Sequence, residues 1–127
     1  MKRELAGRAV LIVEDEPLVA LDIAESFRKA GASILTASKV QDGLRLAGHP
    51  DVSAAIVDFG LSDGDGTALC ECLKERGIPF ILHSGYTHIS DACRVGVVIP
   101  KPASPDVLVS TVVRVSLIHI SEPTRPY

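Results

Sequence analysis

Three stretches of the chain are apolar without polar alternation, and each runs into a residue that can do chemistry. Ala9-Val10-Leu11-Ile12-Val13 runs into Glu14-Asp15-Glu16, and Ala54-Ala55-Ile56-Val57 runs into Asp58. Ile78-Pro79-Phe80-Ile81-Leu82-His83 runs into Ser84. Unalternated runs of this length fit strands covered on both faces, as in a parallel sheet. Residues 33–37 and 95–100 read as two further strands, the last ending next to Lys101. Proline at the start of the 78–83 run is tolerable, because only the strand's first residue loses its donor.

Between these runs the period changes. Ala20, Ile23, Ala24, Phe27 and Ala30 recur at helical spacing after Pro17, which suits a first helical turn, and Gly31 suits the end of that helix. Ser38 followed by Gln41 predicts a capping box for a second helix ending near Gly48. A third helix is expected over 67–76, stopped by Gly77, and a short fourth over 89–94. Ser104-Pro105-Asp106 is a helix start with an N-cap hydroxyl, proline at N1 and an acid in the first turn. That fifth helix is expected to reach about Val115. Five strands alternating with five helices give an α/β fold, a parallel sheet with helices on both faces joined by right-handed crossovers.

Length and charge narrow the function. At 127 residues the chain is one domain, and with 46% hydrophobic but only 4% aromatic residues its core is aliphatic. A net charge of −3 gives no electrostatic case for nucleic acid or an anionic membrane. No apolar run approaches the roughly 20 residues that span a bilayer, and no signal peptide is visible. Cys70, Cys72 and Cys93 are odd in number and form no metal-ligand pattern, so a reduced, cytoplasmic chain is expected, with Cys70 and Cys72 as small packing residues.

If the sheet is parallel, Glu14, Asp15, Asp58, Ser84 and Lys101 all lie on one edge, where open α/β sheets carry their sites. Carboxylates gathered there repel unless a cation sits among them. Hard oxygen ligands suit Mg²⁺, which keeps waters and shares its shell with phosphate oxygens. A lysine ammonium and a serine hydroxyl complete what phosphoryl transfer to a carboxylate requires. His83 reads as an ordinary, satisfied strand residue. Asp63-Gly64-Asp65-Gly66 mimics a calcium loop, but that register puts Leu61 and Cys72 at ligand positions, so it is rejected.

With Leu-Ile-Val-Glu14-Asp15-Glu-Pro, Ile-Val-Asp58, Asp65-Gly66, His-Ser84-Gly-Tyr and Pro-Lys101-Pro in this order, the chain resembles the receiver domain of two-component response regulators over residues 8–115. The resemblance implies a flavodoxin-like, doubly wound (βα)5 fold with strand order 2-1-3-4-5. It implies that Asp58 accepts a phosphoryl group from a sensor histidine kinase or a histidine phosphotransfer protein. It also implies Mg²⁺ held by Asp15 directly, by Glu14 through water, by Asp58 and by the main-chain carbonyl of Gly60. Ser84 would move onto the phosphoryl group, Lys101 would pair with it, and the Lys101–Pro102 peptide would be cis. Such a chain is a switch and not a turnover enzyme.

Some positions depart from the family pattern. Ser62 replaces a usual proline and Val98 a usual fifth-strand aromatic. Phe80 with Ser84-Gly85-Tyr86 is similar instead to the subgroup with a Phe-Ala-Thr-Gly-type fourth strand, with His83 in place of its small residue. Gly60 and Tyr86 fall where this family's side chains influence phosphate lifetime.

Two rival readings are a pseudo-receiver that binds without phosphorylation, and an aspartyl-phosphate phosphatase. The latter needs a second acid two residues after its nucleophile, where this chain has Gly60. Residues 116–127 continue no helical period, contain Pro123 and Pro126, and resemble a translated sequencing-library adapter. They are expected to be a non-native or disordered tail.

Overall fold

The computed structural model describes residues 4–59, 61, 64, 66–85, 93 and 96–121, with side chains to residue 115. Strands β1 (Ala9–Val13), β2 (Ser33–Ala37), β3 (Val52–Asp58), β4 (Phe80–Ser84) and β5 (Val97–Pro100) form one sheet in the order β2-β1-β3-β4-β5. Every neighbouring pair is parallel. Four helices are seen among the described residues: α1 (Pro17–Lys29), α2 (Val40–Ala47), α3 (Thr67–Glu75) and α4 (Pro105–Ser121). The fourth helix expected over 89–94 lies outside the described residues, apart from Cys93.

The three central strands, β1, β3 and β4, are buried on both faces, as the unalternated runs require. On one face Leu11, Val13, Ala55, Val57 and Leu82 pack with Leu69 and Leu73 of α3 and Val40 of α2. On the other Val10, Ile12, Ile56 and Ile81 pack with Ile23 and Phe27 of α1 and Leu108 and Val112 of α4. Gly43 sits within α2 where the helix approaches the sheet and α3 closely. A side-chain carbon there would lie 3.1 Å from Leu69 Cδ2 and 3.2 Å from Val13 Cγ2. Gly66 opens α3 with φ +78°, a left-handed backbone that costs glycine nothing.

Several boundaries differ from the sequence reading. The N-cap of α2 is Lys39, with no side-chain cap bond, in place of a capping box from Ser38. Burial of Val40 in the core sets that start, overriding the local signal. Strand β4 begins at Phe80, after Pro79, which has no N–H for the ladder. Helix α4 runs to Ser121, past the expected stop near Val115. Residues 116–121 contain neither proline nor glycine, and the first breaker is Pro123. Its start matches the reading, with Val107 N–H donating to Ser104 Oγ at 3.3 Å.

The cysteines differ as well. Cys70 on α3 and Cys93, both fully buried, are joined by a disulfide with Cα atoms 5.1 Å apart, and Cys72 is free. The sequence reading had all three reduced, because a separation of 23 residues carries no pairing signal. Alkylation of the denatured, unreduced chain is therefore expected to label Cys72 alone. Reduction should lower stability by about 3 kcal/mol, the loop-closure entropy of such a link. Three labelled cysteines, or a melting temperature indifferent to reductant, would contradict this.

Candidate functional site

Because all five strands point the same way, their carboxyl ends share one edge, and the site is assembled there. The β1–β3 register pairs Val13 with Val57, and Glu14 N–H donates to Ala37 O, continuing the β1 ladder by one residue. Glu14 thus comes level with Asp58, whose own partner across β4 is His83. One row of side chains crosses the edge: Glu14, Asp58, His83. Ser84 is the last residue of β4 and is buried. Lys101 follows β5, with its N–H donating to Ser84 O at 2.9 Å and a cis bond to Pro102.

Lys101 ties the row together. Its Nζ lies 3.2 Å from Asp58 Oδ2 and 3.5 Å from Glu14 Oε1. Glu14 and Asp58 are buried, Asp15 is exposed, and one carboxylate oxygen from each lies within 4.8 Å of the others. Carboxyls this close favour a bound cation, and three oxygen donors with room for waters suit a hard divalent ion. The sequence had placed Glu14, Asp15, Asp58, Ser84 and Lys101 together, and the fold gathers them. Gly60, the expected main-chain ligand, and Tyr86 lie outside the described residues.

The electrostatics of the edge are not readable from the sequence. Burial pushes the Glu14 carboxyl up from 4.5 to about 7, and the Asp58 charge adds to this, while the Glu16 N–H, 3.2 Å from Glu14 Oε2, and Lys101 pull the other way. Burial alone would lower the Lys101 ammonium, but the Asp58 and Glu14 carboxylates outweigh it and hold Lys101 above its ordinary value. His83 is pushed down, first by burial and then by Lys101, against Asp58. The sequence reading of His83 as a satisfied strand residue is corrected: neither ring nitrogen has a hydrogen-bond partner among the described residues.

Comparison with known proteins agrees with this geometry. The family model of the response regulator receiver domain matches residues 10–113. The photosynthetic apparatus regulatory protein RegA of Cereibacter sphaeroides is 32% identical over 89 residues, which are 68% of this chain and 48% of RegA. The chain thus spans about half the length of that relative. A CheY-like receiver domain protein from Methanospirillum hungatei superposes with a TM-score of 0.80 at 25% identity, covering 91% of this chain and 98% of its own. The receiver domain of a sensor histidine kinase from Pseudomonas aeruginosa, solved with a magnesium ion in its active-site cleft, has a TM-score of 0.73 at 23% identity. That match covers 86% of this chain and 97% of the other. With the family matched over most of its length and the acidic edge and lysine in place, the chain belongs to the response regulator receiver domains.

Proposed function

We propose that the chain is a phosphoacceptor switch in which Asp58 takes a phosphoryl group from a phosphohistidine. An Asp58 carboxylate oxygen attacks phosphorus in line, an O–P bond forms, and the P–N bond to the donor histidine breaks. The observation that carries this reading is the Lys101 ammonium lying between Asp58 and Glu14 at the edge. It is placed to meet the negative charge of an incoming phosphoryl group. The Ser84 hydroxyl donates to a phosphoryl oxygen once the group is attached. Glu14, Asp15 and Asp58, with the Gly60 carbonyl, would hold Mg²⁺, which supplies neutralisation of the charge spread over the phosphoryl oxygens. The magnesium in the Pseudomonas kinase's receiver domain supports that choice of ion.

The donor is a sensor histidine kinase or a histidine phosphotransfer protein. The switch itself is not a turnover enzyme, since position 60 carries no second acid. Residues 8–115 form the receiver, and 116–127 are a non-native tail whose residues 116–121 continue α4. We assign the domain to the cytoplasm on its likeness to receiver domains, not on its cysteines, with no nucleic-acid or membrane contact of its own; no helix among the described residues is long and apolar enough to cross a membrane.

The test is intact mass after incubation with acetyl phosphate, with and without Mg²⁺. An added phosphoryl mass that requires Mg²⁺ is expected. Its absence, together with no spectral response to beryllofluoride, would leave a pseudo-receiver that binds without phosphorylation. Lys101→Ala is expected to keep the fold and to lose most of the chemical-shift response that phosphorylation causes in the native chain. An unfolded variant would instead give the lysine a structural role.

A further inference from the structure

Beside the acidic edge, Val19 and Ile23 of α1, Pro102 and Ala103 of the turn after β5, and Pro105 at the start of α4 wall a groove of about 420 Å³. His83 lines it from below and is only 4% exposed. Its two ring nitrogens have no partner among the described residues. Buried polar atoms are rarely left this way, since an apolar side chain at the same strand position would avoid the penalty. A neutral imidazole offers one donor and one acceptor. Apolar walls converging on a single buried polar group, at this volume, have the make-up of a small-molecule site. Glu16 and Asp22 also line the groove. Lys101, its one cation, is already engaged by Asp58 and Glu14. An anionic head group is therefore disfavoured.

We infer that this groove binds a small, uncharged amphiphile, its apolar body between α1 and the segment from Pro102 to the start of α4 and its hydroxyl hydrogen-bonded to one nitrogen of the His83 imidazole. The occupant would lie against Lys101, the residue that also pairs with Asp58, so the groove adjoins the phosphorylation site without being part of it. Binding requires neither Mg²⁺ nor phosphorylation, and it can fail or succeed independently of the function proposed above.

The probes are 4-alkylphenols, from phenol to 4-butylphenol, titrated into the full 127-residue chain without Mg²⁺ or phosphodonor. Amide and imidazole NMR signals are the readout. Saturable shifts confined to His83, Val19, Ile23, Lys101 and Ala103 are expected. Affinity should rise about fourfold for each methylene added, the usual gain for a buried CH₂ group. Butylbenzene, which lacks the hydroxyl, should bind about tenfold more weakly than 4-butylphenol, the size of one buried hydrogen bond. His83→Leu should erase that preference. Ala103→Phe, which fills the groove from its rim and leaves the core untouched, should abolish binding of both probes and decides the matter if His83→Leu does not fold. Scattered shifts, a preference that survives His83→Leu, or binding that survives Ala103→Phe would overturn the inference. So would an imidazole bonded only to water, with signals that no phenol moves.

Discussion

Asp58→Asn is expected to lose all phosphoryl incorporation from acetyl phosphate, down to the level seen without Mg²⁺. The carboxamide is the same size and sits at the same buried strand end, so the sheet is expected to stand. What it lacks is the anionic oxygen that attacks phosphorus. The substitution also alters its neighbours in a direction that can be measured. Lys101 keeps Glu14 at 3.5 Å but loses the closer contact with Asp58 at 3.2 Å. The Glu14 carboxyl, raised first by burial and then by the Asp58 charge, should fall toward its ordinary range. Glu14 is the other buried carboxylate within reach of Lys101, so Glu14→Gln is the necessary companion. It should keep labelling at Asp58, more slowly. Intact mass and peptide mapping of both variants decide between them. Label retained in Asp58→Asn on the peptide that carries Glu14, and lost in Glu14→Gln, would move the acceptor to Glu14.

The edge was legible because parallel strands impose it. Once Ala9–Val13 and residues 54–57 read as strands buried on both faces, Glu14, Asp15 and Asp58 had to fall at the same end, and Lys101 came to that end after the last strand. The cis Lys101–Pro102 bond followed from the family resemblance and is present. What could not be read depends on contacts between distant segments. The start of α2 is decided by burial of Val40 against the sheet, not by the Ser38–Gln41 pair. The Cys70–Cys93 disulfide requires α3 and the segment before β5 to meet. His83 looked ordinary in sequence, because a strand histidine gives no sign of whether its ring nitrogens find partners. The continuation of α4 through 116–121 shows the limit of periodicity. A stretch with no amphipathic pattern still takes helical backbone when nothing in it breaks one.

Magnesium affinity is expected to depend steeply on pH, and Glu14 sets the slope. Its carboxyl titrates near 7 in the metal-free protein, held up first by burial and then by the Asp58 charge. A cation at Glu14, Asp15 and Asp58 needs these oxygens ionised, so it competes with the Glu14 proton. Below about pH 7 the apparent association constant should fall about tenfold per pH unit, and above it the profile should flatten, as for one competing proton. Calorimetric titration in two buffers of different ionisation enthalpy should then show close to one proton released per ion at pH 6 and few at pH 8. Glu14→Gln should bind more weakly at pH 8 but with a flat profile. The same carboxyl acts on the metal-free fold with a definite sign. Its folded value lies above the ordinary 4.5, so the native state holds that proton more tightly than the unfolded chain. That contribution to stability is fully present below about pH 4.5 and is lost as pH rises through about 7. Added Mg²⁺ stabilises the folded chain by mass action and does so most where Glu14 is ionised, so it should offset the loss above pH 7. A binding profile that flattens already near pH 5 would mean that Lys101 keeps Glu14 charged in spite of its burial, and that the proton competes with nothing at physiological pH.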